Sequence, residues 1–199
     1  MAILKIARMG HPVLLHPAEP IADPTAPGVR RLIGDMVETM ADADGLGLAA
    51  PQVHVPARLV IFQVPPETDE ADESGESGES EEVAPLCILI NPTVEPLTEE
   101  TVLGWEGCLS VPGLRGRVPR YTAVRYHATA PDGRALTCEC EGMLARVVQH
   151  ECDHLDGVLY PMRMTDLSEL VFESEFKYRT AEAPKADEAP AEPAAAYAD

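Results

Sequence analysis

The segment 141–155 constrains this chain more than any other. Met143, Leu144, Val147, Val148 and His154 recur at three- and four-residue spacing, the period of a helix with one apolar face. Gly157 follows, where a helix end favours a residue that tolerates a left-handed backbone. The same segment carries His150-Glu151-Cys152-Asp153-His154. Residues four apart on a helix share a face, so His150 and His154 can chelate one metal ion. Glu151 is rotated about a quarter turn from His150, where its carboxylate can take a proton from an attacking water and pass it to a leaving group.

A catalytic metal needs a third protein ligand and an open position for water. No histidine follows His154, which excludes a downstream imidazole. Glu169, Glu173 and Glu175 remain as downstream carboxylates, the arrangement of a glutamate-type zinc peptidase. Upstream, Cys108 stands in Glu106-Gly107-Cys108-Leu109-Ser110, and a lone cysteine is otherwise a small buried hydrophobe. The residues alone leave this choice open.

The rest of the chain reads as a single α+β unit. Residues 1–26 form an extended arm punctuated by Pro12, Pro17, Pro20 and Pro24. Residues 28–43 read as a helix, with Leu32, Ile33, Met36, Val37 and Met40 on one stripe that packs into a core. Residues 44–52 make a glycine-bearing turn segment. Strands are expected at 58–64, 86–90, 93–103, 117–129 and 134–141, with Pro131-Asp132-Gly133 turning between the last two. Leu86–Ile90 is the longest sort of apolar run here and is far too short to span a bilayer.

The formal net charge is −19, but it is unevenly spread. Residues 67–82 hold nine acids and no base, and residues 180–199 hold five acids and Lys185. Without these two stretches the remaining 163 residues carry only −6. Both stretches are too polar to bury a face and read as a disordered loop and a disordered tail on a domain of residues 1–179. Both would repel a phosphate backbone, so no direct DNA binding is expected, and no membrane partner either. The start, MAILKIARMG, has no secretory apolar region, and a cytoplasmic location is expected. Five cysteines, with no paired framework, fit reduced thiols. Alternation puts Cys138 and Cys140 on one strand face, where they read as buried free thiols.

Three segments resemble peptide deformylase: Gly45-Leu46-Gly47-Leu48-Ala49-Ala50-Pro51-Gln52, Glu106-Gly107-Cys108-Leu109-Ser110, and Gln149-His150-Glu151-Cys152-Asp153-His154-Leu155-Asp156-Gly157. Their order fits that family, as does the opening stretch from Ile6 to Leu14, and the resemblance spans residues 3–167. It implies removal of the formyl group from the N-terminal formylmethionine of newly made polypeptides. It implies Cys108, His150 and His154 as metal ligands, with Fe2+ the usual ion. The donor set alone is equally compatible with Zn2+, Ni2+ or Co2+. Glu151 takes the role of general base and then general acid. Gln52 and the backbone N–H of Leu109 are the implied oxyanion donors, and an uncharged amide suits that task because it does not compete for the metal.

Further expectations follow from that likeness. Gly45 and Gly47 suit close approach of a substrate backbone, and Arg115 matches a family position near the bound peptide. Leu46, Met143 and Val147 are candidates for an apolar pocket beside the metal, and Arg146, one turn before His150, for its rim. Antiparallel sheets are expected around the central helix, with the 28–43 helix outside. Two features depart from the family pattern. The acidic run lengthens a strand connection, and the tail lacks the basic helix with which some members dock on the ribosome, so the resemblance allows the ribosome as a partner only without that contact. A non-catalytic relative that binds peptide or metal would need a broken catalytic set, and the set here is whole.

Overall fold

A computed structural model describes residues 2–65 and 85–180. The acidic run at 67–82 lies outside the described residues, as does the tail from 181 onward. In chain order the principal elements are α1 (Pro27–Asp42), β1 (Gly47–Ala49), β2 (Leu59–Phe62), β3 (Cys87–Pro96), β4 (Thr101–Cys108), β5 (Val111–Tyr121), β6 (Ala123–Thr129), β7 (Ala135–Glu141), α2 (Gly142–Leu155), β8 (Val171–Phe172) and α3 (Phe176–Thr180). One antiparallel sheet has the order β1-β2-β3-β6-β7, and a second has the order β4-β5-β8.

The continuous apolar run of β2 is explained by burial on both faces. Val60 and Phe62 pack toward α2 with Leu89, Val124, Val148 and Leu155. Leu59 and Ile61 point the other way, against Ile33, Met36 and Met40 of α1. α1 therefore covers one face of the larger sheet, and α2 lies on the other face, where it also contacts β5 of the smaller sheet. The α+β arrangement around the HExxH helix is the one expected from the sequence. Both helices fall within a residue of their expected limits. Gly157, at φ +75°, supplies the left-handed backbone just past α2, and a Cβ there would sit 2.8 Å from the chain at Leu15 and His16.

The strands divide differently from the sequence reading. The segments 86–90 and 93–96 are one strand, kinked by a register shift between Ile90 and Thr93 and by Asn91 at φ +52°. The stretch 117–129 is two strands in different sheets, broken at Thr122. The Thr122 N–H donates to the Glu100 carbonyl as the chain crosses between sheets. The sequence pattern reaches the outer ends of the β4–β5 hairpin, at 101–103 and 117–121, but not the part around Cys108, where Gly104, Gly107, Pro112 and Gly113 suppress any strand pattern. All five cysteines are free; Cys140 is buried as expected, but Cys138, on the same edge strand, is exposed.

The N-terminal arm, expected to be extended, is interrupted by a 3-10 turn at Pro12–Leu14, and it clamps the centre of the molecule. Ala7 N–H donates to the Gln52 carbonyl at 2.7 Å, Met9 N–H to the Ser110 carbonyl at 2.8 Å, and Ala18 N–H to the Leu155 carbonyl at 2.8 Å. It thereby fixes the backbone of all three motifs at once.

Candidate active site

Three elements bring the motifs together. α2 presents His150, Glu151 and His154. The turn between β4 and β5 presents Cys108, Leu109 and Ser110. A short 3-10 turn after β1, Ala50–Val53, presents Gln52. Cys108, His150 and His154 each point one ligand atom into a common space, all within 4.8 Å of one another. Among the described residues this is the one such group of three or more. Cys108 Sγ lies 3.4 Å from His154 Nε2. A tetrahedral ion with a thiolate at about 2.3 Å and an imidazole at about 2.0–2.1 Å needs an edge of roughly that length. The sulfur also faces two donors, Gln52 Nε2 at 3.5 Å and Ser110 N–H at 3.4 Å, which suits a thiolate. The residues present therefore fit a divalent metal ion.

The tautomer of His150 is set from behind. Its Nδ1 donates to Glu106 Oε2 at 2.8 Å, leaving Nε2 as the lone-pair nitrogen. Glu106 is itself held by four donors. Arg120 reaches both of its oxygens, at 2.9 and 3.0 Å, and Arg146 adds a bond of 2.8 Å. Arg120 continues to Asp153 at 2.6 Å, and Asp153 to Arg163 at 2.7 Å. Burial alone would raise the Glu106 carboxyl, but the bonds from His150 and Arg120 outweigh it and hold the group down to about 2. His154 is neutral, pushed well below the ordinary value first by burial and further by the charge of Arg120.

Glu151 has the opposite surroundings. It is 5% exposed, and no described protein group bonds to its Oε2. Burial pushes its carboxyl up to about 7, helped by the charge of Glu106, with the charge of Arg120 pulling the other way. A Cβ at Gly47 would collide with this carboxylate, so the glycine makes room for Glu151. Gly45 similarly admits the Leu109 side chain, 2.9 Å from where its Cβ would stand.

Gln52 is fully enclosed. Its Oε1 accepts from Ala49 N–H at 2.8 Å, which orients the amide so that Nε2 faces Ser110 Oγ and Cys108. These groups open onto a cleft of about 640 Å³. Every site residue named from the sequence lines it except His154, which lies beneath. Leu46 and Met143 are half-exposed at its mouth, and Val147 is buried in its wall.

Arg146 lines the cleft wall. Its guanidinium is turned inward, onto the Val102 and Val118 carbonyls at 2.8 and 3.0 Å and onto Glu106. It occupies the space over Gly104, where a Cβ would meet it at 2.6 Å. Its part is to tie α2 to β4 and β5. The downstream carboxylates do not reach the imidazoles: Glu169 pairs with Arg117, Glu173 with Arg115, and Glu175 accepts from Ser174. The peptidase alternative is not assembled.

Sequence reasoning passed over the supporting shell of Glu106, Arg120 and Asp153. Glu106 and Asp153 sat inside quoted motifs, and the rule that ligating imidazoles need an acceptor for the second nitrogen could have found Glu106. Nothing local to Arg120 signals its role; the β4–β5 pairing brings it to Glu106. A second cleft, of about 560 Å³, lies on the opposite side of α2, where Arg58 and Arg163 are already paired with Asp156 and Asp153.

A thiolate and two imidazoles converging beside a poised carboxylate, with an amide donor opposite, define a metal-dependent hydrolase of the HExxH type. The comparisons narrow this. The model of the family described as polypeptide deformylase matches residues 3–169. Peptide deformylase 1 of Bordetella pertussis is 51% identical over 163 residues, covering 82% of this chain and 88% of that protein. Peptide deformylase 1 of Nitrosomonas europaea is 47% identical, covering 83% of this chain and 89% of the relative. A crystal structure of a Met-Ala-Ser-bound class I type b peptide deformylase from Acinetobacter baumannii superposes with a TM-score of 0.70 at 32% identity, covering 82% of this chain and all of that one. The chain belongs to the polypeptide deformylase family.

Proposed function

We propose that this chain hydrolyses the formamide of N-formylmethionyl peptides, with Cys108, His150 and His154 holding one divalent metal ion. The observation that carries the reading is the convergence of that ligand set with Glu151 and Gln52 in one cleft. A bound ion supplies Lewis-acid activation of water and of the formyl oxygen. Glu151 takes the proton of the attacking water at its carboxylate and returns it to the departing amine. A carboxyl near 7 can do both at neutral pH. Gln52 Nε2 and the Leu109 backbone N–H donate to the oxyanion of the tetrahedral intermediate. Leu46, Met143 and Val147 bound the methionine side chain on the apolar side of the cleft. Gly45 and Gly47 leave the cleft edge low enough for an extended peptide, and Arg115 meets its backbone further out.

The solved relative that carries Met-Ala-Ser supports this substrate class. With such a substrate the reading includes a cytoplasmic location, alongside nascent chains. No helix among the described residues is long and apolar enough to cross a membrane. Ferrous iron is the resident ion in this proposal, and the thiolate beside a metal that reacts with oxygen is its weak point. The test is deformylation of formyl-Met-Ala-Ser by anaerobically purified protein, with metal analysis on the same sample. Iron enzyme should lose activity in air, while nickel or cobalt enzyme should be active and air-stable. Iron enzyme that stays fully active in air would remove the oxidative argument, and no turnover by any metal form would remove the function.

A further inference from the structure

The family match ends at residue 169, but the wall of the cleft does not. β8 pairs with Leu114 and Arg115 of β5, and the chain then turns through Glu173–Glu175 into α3. Two side chains of this stretch converge on Arg115. Glu173 Oε1 accepts from Arg115 Nε at 2.8 Å, and the Phe176 ring lies 5.4 Å from the guanidinium carbon. Phe176 in turn stands edge-on to Trp105, with ring centroids 4.9 Å apart. Trp105, Arg115 and Glu173 all line the cleft.

A half-exposed arginine has many rotamers and is a poor anchor unless something orders it. Here the Nε is bonded and one face of the guanidinium is covered. Among the described residues, no protein acceptor takes Arg115 Nη1 or Nη2. The planar fork is thus held at its inner end with its two outer nitrogens left for a ligand, and carbonyl oxygens of an extended peptide are acceptors of the right kind.

We propose that Glu173 and Phe176 are positioning residues that aim the Arg115 fork at the substrate backbone beyond the methionine. The segment after residue 169 thereby makes binding depend on peptide length. The inference rests on the deformylase reading and on Arg115 as its peptide-binding residue. Glu173 acts through Arg115 and does not touch the reacting formyl group.

The test uses the full metal-loaded chain with two substrates: formyl-Met-Ala-Ser amidated at its C-terminus, and N-formylmethioninamide, which ends before Arg115 and has no carboxylate to mimic a longer chain. Because the pair is exposed, Glu173→Gln should raise KM for the tripeptide by only about two- to five-fold, with kcat unchanged. KM for formylmethioninamide should not rise. Phe176→Leu should act in the same direction. In an Arg115→Ala background, Glu173→Gln should add nothing, since the group it orients is gone. An unchanged tripeptide KM, an equal rise for both substrates, or an effect that persists without Arg115 would overturn the proposal. Wild-type protein that deformylates neither substrate would instead overturn the function on which it rests.

Discussion

Glu106 and Glu151 are two carboxylates of one site, 6% and 5% exposed, and their environments push them in opposite directions. Glu106 stands on the β4 side, where two arginines and an imidazole supply its donors. Glu151 stands on the cleft side, against Gly47, with one oxygen unbonded by any described protein group. The first sits at about 2 and stays ionised; the second rises to about 7 and can exchange a proton. Burial is nearly equal, so burial does not decide the role. The number of donors left to stabilise the charge does.

The largest effect that would break this contrast belongs to Glu151. Glu151→Gln should retain one metal per chain, because the side chain is not a ligand, while kcat falls by about 100-fold or more. A variant keeping above about a tenth of wild-type turnover would exclude the general-base role. Glu106→Gln should do the reverse. It leaves the proton path in place but replaces the charged acceptor that orients His150 with a neutral amide, so metal affinity, read by competition with a chelator, should fall about 10- to 100-fold. It also leaves Arg120 with Asp153 as its one carboxylate and Arg146 with backbone carbonyls, and urea unfolding should show a loss of up to about 3–5 kcal/mol. Unchanged metal affinity would show that the imidazole is oriented by something else.

A smaller effect sharpens the distance over which Glu106 is supported. Arg163 is the outer end of the chain of ion pairs, with its side chain half-exposed and bonded to Asp153. Arg163→Ala should change metal affinity by about threefold or less, as exposed pairs contribute little. A loss matching that of Glu106→Gln would mean the network acts as one unit. The smallest effect should come from residues 67–82, whose only apolar side chain is Ala71. Replacing them with a short Gly/Ser link should leave melting temperature and deformylation of a short peptide nearly unchanged. A large loss of either would give that run a structural or substrate-contacting part.

Some of this was legible in advance, for local reasons. The apolar stripe of α1 and the helical spacing of His150 and His154 are periodicities of one segment, and helices are made of contacts between residues close in sequence. Gly157 could be assigned for the same reason. The strands were legible only in part. The kink at Asn91 and the break at Thr122 depend on which partner each half-strand finds, and the Gly- and Pro-bearing hairpin around Cys108 has no alternation to reveal it. For Arg146, which lines the cleft, helical spacing says which side of α2 it leaves, but not that Gly104 opens a space for its guanidinium to turn inward.

The sequence by itself determined the chemistry on offer: two imidazoles one turn apart, a carboxylate beside them, and the thiol and amide of two further motifs whose likeness to one family named their roles. Only the tertiary structure decided which groups would act. It joined Cys108 to the imidazoles where Glu169, Glu173 and Glu175 had been equally available on spacing. It put four donors around Glu106 and left an oxygen of Glu151 without a partner among the described residues. The reason is that a ligand set and a carboxyl pKa depend on distances between segments some forty residues apart. Those distances are set by strand register, by the glycines that let side chains approach, and by the arm that pins three motifs together.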